Sequence, residues 1–138
     1  MKRLLALTAA LLLAACGRSA CPAIACRPTI ELSFIGASGA QALSAKGSVV
    51  VNGETVSFDC TTNSYGTTDA GISTSAACAG GRLQLYPTAA MPTSVTISAS
   101  GAGGTFTGPV TLTPNAPPPT PPGCVPCASN SVGTVTLR

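Results

Sequence analysis

Residues 47–60 read GSVVVNGETVSFDC, two β-branched runs on either side of Asn52-Gly53. Asn-Gly at such a place is a strong hairpin signal, because both residues tolerate the positive φ of a type I′ turn. With those two residues as the loop, Val51 faces Glu54, Val49 faces Val56 and Gly47 faces Phe58. Val49, Val51, Val56, Phe58 and Cys60 then share one face, and Val50, Thr55 and Ser57 share the other. That alternation is the pattern of strands buried on one side only. Gly47 is expected to leave room for the Phe58 ring. A cysteine on the apolar face suits a disulfide passing through the core of a sandwich.

The same alternation recurs outward from this hairpin. Upstream, Ile30, Leu32 and Phe34 lie on one face of a strand over residues 29–35, followed by a turn at Gly36-Ala37-Ser38-Gly39. Downstream, Arg82 to Tyr86 places Leu83 and Leu85 inward, and Thr93 to Ala99 does so with Val95, Ile97 and Ala99. Ser100 to Gly104 reads as a flexible turn, and Thr105 to Thr113 as a strand interrupted at Gly108-Pro109, since proline belongs on an edge or at a bulge. Gly133 to Leu137 alternates again through Val135 and Leu137. Residues 61–81 (TTNSYGTTDAGISTSAACAGG) have little periodicity and many turn formers, and read as a long loop with a short strand near Ile72. Residues 114–123, PNAPPPTPPG, read as a stiff polyproline II connection; a ligand for a proline-reading domain is the sharper alternative. No amphipathic helix is evident. About seven short strands with turn signals every ten or so residues indicate an all-β fold, a single antiparallel β-sandwich over residues 29–138.

The order of these elements resembles small immunoglobulin-like and carboxypeptidase-regulatory-like (transthyretin-like) domains of bacterial surface lipoproteins. Ile30-Glu31-Leu32-Ser33-Phe34, the Gly36–Gly39 turn and Gly47-Ser48-Val49-Val50-Val51-Asn52-Gly53 carry the resemblance, as first strand, turn and following strand.

The amino-terminal residues supply a second resemblance. Lys2 and Arg3 precede the apolar run Leu4–Leu13, and small residues lead into a cysteine at Leu13-Ala14-Ala15-Cys16. A basic region, a ten-residue apolar core and a small-residue cleavage site make a secretory signal peptide over residues 1–15. Ten helical residues cover only about half of a ~30 Å hydrocarbon core, so a transmembrane span is excluded there. Small residues running directly into Cys16 resemble the lipobox of bacterial lipoproteins. The resemblance implies that Cys16 carries a diacylglycerol thioether and an acylated amine (palmitate being the usual acyl group), with residues 16–28 as the tether. Two or three acyl chains at ~0.8 kcal/mol per buried CH₂ hold a protein stably on a bilayer. Gly17 in place of the aspartate associated with inner-membrane retention implies the outer membrane where the host has one.

The 138 residues include seven Lys or Arg, four Asp or Glu and no His. Without the leader about 120 residues remain, enough for one domain. Five basic residues (Arg18, Arg27, Lys46, Arg82, Arg138) then face four acidic ones (Glu31, Glu54, Asp59, Asp69). A near-neutral chain without a basic cluster has little to offer a phosphate backbone, so no nucleic-acid partner is expected.

Seven cysteines would leave one unpaired in an exported protein,. Lipidation of Cys16 resolves the count, and Cys21, Cys26, Cys60, Cys78, Cys124 and Cys127 then read as three disulfides. In the sandwich class that the chain resembles, first and last strands are commonly parallel neighbours. Cys26 stands just before the first strand and Cys127 just before the last. The resemblance therefore implies that Cys21 and Cys26 pair with Cys124 and Cys127, in either combination, and that Cys60 pairs with Cys78.

Competing chemistry is thin. Cys124-Val125-Pro126-Cys127 looks like a thioredoxin-type pair, but that motif needs a helix amino-terminus and a βαβ setting, and a proline run precedes it here. Cys21, Cys26, Cys124 and Cys127 together would make a four-thiolate zinc site, disfavoured by an oxidising compartment. Without histidine, serine or cysteine hydrolysis has no usual base. Gly36-Ala37-Ser38-Gly39-Ala40 misses the nucleophile elbow, and Gly101-Ala102-Gly103-Gly104 misses the dinucleotide fingerprint. Five Phe and Tyr residues cannot line the aromatic cleft of a sandwich glycosidase. Asp69 alone is a turn residue more readily than a calcium ligand. No cofactor and no enzymatic activity are expected. A structural or interaction role at the cell envelope remains, with an envelope glycan, peptidoglycan or protein as partner. Tyr65 and Asp69 in loop 61–81 are the binding residues nominated, because binding side chains concentrate on loops held by a rigid scaffold.

Overall fold

The computed structural model describes residues 28–62, 65–66, 74–116 and 130–138. Among them are ten strands and no helix: β1 Ile30–Ile35, β2 Lys46–Val51, β3 Glu54–Asp59, β4 Tyr65–Gly66, β5 Ser75–Ala79, β6 Arg82–Tyr86, β7 Ser94–Gly101, β8 Gly104–Thr111, β9 Thr113–Asn115 and β10 Asn130–Thr136. They form two sheets, a six-stranded one in the order β4-β5-β6-β1-β10-β9 and a four-stranded one in the order β3-β2-β7-β8. The fold is all-β, a sandwich in which every strand pair but one is antiparallel. The exception is β1 with β10, which run parallel with Ile30 opposite Ser131 and Ile35 opposite Thr136.

The 47–60 hairpin forms in the register that its turn dictates, with Val51 opposite Glu54, Val49 opposite Val56 and Gly47 opposite Phe58. Asn52 and Gly53 take positive φ, 51° and 83°. The reason for Gly47 differs from the one its sequence context suggests. A Cβ there would stand 2.0 Å from the carbonyl oxygen of Ser98 on β7, so the neighbouring backbone requires glycine, not the Phe58 ring.

Every residue assigned inward by alternation is buried: Ile30, Leu32 and Phe34; Val49 and Val51; Val56 and Phe58; Leu83 and Leu85; Val95, Ile97 and Ala99; Val135 and Leu137. The sheets meet across this layer, and Phe34 of the larger stacks on Phe58 of the smaller with ring centroids 5.2 Å apart. Cys60, at the end of β3, is bonded to Cys78 on β5 with a Cα–Cα distance of 4.7 Å. Both are buried, so the disulfide crosses from sheet to sheet inside the core.

The strands beyond seven are β4, β5 and β9. Residues 75–79 form β5 where a loop is expected, turning through Gly80-Gly81 into β6. Ser100–Gly104 is the closed end of the β7–β8 hairpin, with Gly101 opposite Gly104. The strand beginning near Thr105 runs straight through Gly108-Pro109 as an edge and breaks only at Leu112. The chain then changes sheets, and Thr113–Asn115 pairs with β10 as β9. Pro114 is thus an edge-strand residue instead of the first residue of a polyproline segment; residues 117–123 lie outside the described part, as do Ile72, the leader 1–15 and the tether up to Arg27.

The two ends of the sandwich differ. The base, where β1 and β10 begin, also carries the Asn52-Gly53 turn, which reaches the segment after β6 through Asn52 Nδ2 donating to the Ala90 carbonyl at 2.9 Å. The crown carries the 36–45 connection, the Gly80-Gly81 and Ala102-Gly103 turns and Arg138. There Thr105 and Arg138 exchange backbone hydrogen bonds of 3.0 and 3.1 Å, closing one corner between the sheets.

Phe34→Ala should destabilise the domain by about 3–5 kcal/mol in denaturant unfolding, the usual cost of emptying a buried phenylalanine site. Leu43→Ala, at a side chain 62% exposed on the crown, should stay within about 0.5 kcal/mol of the parent,.

Candidate functional site

Of the residues nominated from sequence, the structure places Cys60, Cys78 and Tyr65. Cys60 and Cys78 form the core disulfide. Tyr65 occupies the two-residue strand β4 at the edge of the larger sheet, opposite Ala77. Asp69, Cys16, Cys21, Cys26, Cys124 and Cys127 lie outside the described residues.

The feet of the segment containing Tyr65 and Asp69 are well defined. At the crown, Asp59 Oδ1 accepts the backbone amide of Thr61 at 2.9 Å and the Thr61 hydroxyl as well, a side-chain turn that ends β3,. These two donors, the hydroxyl foremost, hold the Asp59 carboxyl below its ordinary value. Its slight desolvation works the other way, and Lys46, opposite it across the hairpin, adds attraction. One residue further, the disulfide fixes Cys60 to β5. At the base, Thr74 is buried just before β5, and Glu54 at the start of β3 receives its amide at 3.2 Å and its hydroxyl at 2.8 Å. Thus β3, the edge of the smaller sheet, is held to β5 of the larger by a carboxylate at one end and a disulfide at the other. Neither contact was read from the sequence: the Asp59-Thr61 spacing suits a side-chain turn and could have shown the first, whereas Glu54 with Thr74 pairs across sheets and leaves no local sign,.

A second place lies at the base. Pro28, Tyr86, Pro87 and Thr88 line an open hollow of about 310 Å³. Tyr86 follows buried Leu85 on β6, is itself half-buried, and donates its hydroxyl to Gln84 Oε1 at 2.8 Å. No sequence signal marked this hollow: Pro28, two residues before β1, comes to Tyr86-Pro87 because β1 pairs with β6, with Ile30 opposite Leu85.

Among the described residues neither place assembles an acid–base pair. Among the described residues no three His, Cys, Asp or Glu side chains stand together as a metal site. The charged contact nearest the centre of the larger sheet, Arg82 to Glu31 at 3.7 Å, is solvent-exposed and contributes little,. Among the described residues no helix is long and apolar enough to cross a membrane. Comparison with protein-family models, with curated proteins and with solved structures gives no match.

Thr74→Val, which keeps the shape and removes the hydroxyl, should cost about 1.5–3 kcal/mol in unfolding, the range for a hydrogen bond to a charged acceptor. In an NMR titration Asp59 should protonate below the ordinary aspartate range, and Thr61→Val should move it back upward. Because the folded value is depressed, its contribution is present above the unfolded value and disappears as pH falls through the folded one.

Proposed function

We propose that this chain is a lipid-anchored β-sandwich of the bacterial cell envelope with a structural or interaction role and no catalysis. The observation that carries the reading is Leu13-Ala14-Ala15-Cys16 behind a basic, then apolar, leader. Anchoring follows through acyl chains on Cys16, at the outer membrane where the host has one. The buried Cys60–Cys78 disulfide supports it, since such bonds persist in oxidising compartments,. Cys16 lies twelve residues before Pro28, so at ~3.3–3.6 Å per residue the base of the sandwich stands within about 43 Å of the lipid.

The part offered to a partner is the 61–74 segment, with Tyr65 and Asp69 as the side chains that meet an envelope glycan, peptidoglycan or protein. The described attachments on either side of it, Asp59 with Thr61 and Glu54 with Thr74, support this over a passive role, because fixed ends leave less chain entropy to be lost on binding,.

Cells fed a labelled fatty acid should label the parent chain and not Cys16→Ala, and the variant should leave the detergent phase for the aqueous one on cloud-point partition. Labelling of Cys16→Ala, or aqueous partition of the parent, would refute the anchor. Co-sedimentation with purified peptidoglycan or capture of an envelope component, weakened several-fold in Tyr65→Ala/Asp69→Ala, checks the binding role.

A further inference from the structure

We propose that Asn52 is a deamidation site that the folded sandwich holds closed, so that water converts it to aspartate or isoaspartate only when the base opens. The inference stands on the β2–β3 hairpin and the segment after β6, and does not depend on the envelope reading.

The chemistry belongs to the Asn-Gly pair. The Gly53 amide nitrogen gives up its proton and attacks Asn52 Cγ. A C–N bond forms, and Nδ2 takes up that proton and leaves as ammonia. One water then opens the five-membered imide at either carbonyl, giving aspartate or isoaspartate. The sum is amide plus water to acid plus ammonia, with no electron transferred and no co-reactant but water. Glycine in second place favours the attack, because it has no Cβ to crowd the forming ring. Both residues are exposed at the tip of the hairpin, so water reaches them freely.

Two features of the fold oppose ring closure. Asn52 and Gly53 have φ of 51° and 83°, the left-handed pair of a type I′ turn,. The ψ of about +30° that accompanies the first residue of such a turn sets the Gly53 nitrogen nearly opposite Cβ about the Cα–C bond. The ring needs those two atoms on the same side, so the backbone must leave the turn before attack. The second feature is the side chain itself. Nδ2 donates to the Ala90 carbonyl at 2.9 Å, and Cγ cannot swing towards Gly53 while that bond holds. Its acceptor is firmly placed, because Pro87 is buried and Met91 packs against the core on either side of Ala90.

Conversion is one-way and has a structural effect. An aspartate at position 52 has lost its donor and sets a carboxylate against the Ala90 carbonyl oxygen,. Isoaspartate also lengthens the backbone of a two-residue turn, whose length fixes Val51 opposite Glu54,. Glu54 is the carboxylate that receives the amide and hydroxyl of Thr74. The change therefore reaches the attachment of β3 to the larger sheet, and each converted molecule records that its base has opened.

The test incubates the full chain at mildly alkaline pH, folded or in urea, and follows the amide-to-acid mass change at Asn52 by fragmentation. Conversion should proceed in urea and run about tenfold or more slower in the folded protein, the ratio being set by how rarely the base opens. No conversion at Asn52 in urea would overturn the site, and equal rates in the two conditions would overturn the protection. By NMR, the bonded Asn52 Nδ2 proton should exchange with water several-fold more slowly than the side-chain amide of Asn115, exposed on β9; equal exchange would remove the Ala90 bond from the argument. Asn52→Asp, the product itself, should speed exchange of the Thr74 amide several-fold, and Asn52→Gly, which supports the same turn without a carboxylate, should do so less. A Thr74 amide as slow in Asn52→Asp as in the parent would overturn the link to β3.

Discussion

The two sheets meet through the alternate, inward side chains of their strands. Among the described residues Phe34 on Phe58 is the one aromatic stack; around it the layer is Val, Leu, Ile and Ala with the bonded Cys60 and Cys78. Apolar burial is worth ~25 cal/mol per Å², and small side chains bring little area each. The core therefore depends on close approach, which explains why the Cys60–Cys78 bond lies inside it instead of at its rim. An 18-residue separation between the bonded cysteines corresponds to roughly 3 kcal/mol in the chain-entropy account of such a crosslink,. For a domain of this size that is a large share of the usual net stability.

What was legible beforehand was whatever one face of one strand could encode. The Asn52-Gly53 turn set a register, and alternation named the inward residues of six strands correctly. Strand β5 escaped because Ala76 and Cys78 are its only inward side chains, too small to stand out among the Ser, Ala and Gly around them. Its real marker was Gly80-Gly81, two consecutive positive-φ residues, φ 57° and 73°, between short runs,. Strand β9 escaped because three exposed residues have no period at all. At the candidate site the same limit applies. Asp59 and Thr61 are two apart and visible together, whereas Glu54 and Thr74 are brought together by the packing of one sheet on another, which no local pattern records.

Parallel pairing of β1 with β10 has the largest consequence for the rest of the molecule. It puts both chain arrivals, at Thr29 and at Asn130, on the base, and the 28/86/87/88 hollow beside them. It equally sends Arg138 to the crown, where it exchanges hydrogen bonds with Thr105. On the proposed anchoring, the base is the membrane side and the crown the free side. The described ends of the 61–74 segment lie at opposite ends of the sandwich, Asp59-Thr61 at the crown and Thr74 at the base, and Tyr65-Gly66 pairs with β5 at the edge of the larger sheet.

Anchoring in a plane also raises the local concentration of copies, which makes open strand edges more hazardous. Three of the four edges carry a visible answer. Pro109 lies in β8 and Pro114 in β9, each withdrawing an amide from the ladder an incoming strand would need,. At its crown end β8 is further occupied by Arg138. The edge at β3 is tied across to β5 by Glu54 and by the disulfide, so it is folded towards the other sheet. The remaining edge, β4, is two residues long, too short to template a partner strand. Two prolines that look like flaws in strand patterns thus belong where they are: both sit on the outside of the sandwich, where a missing amide costs the fold least and denies a neighbour most.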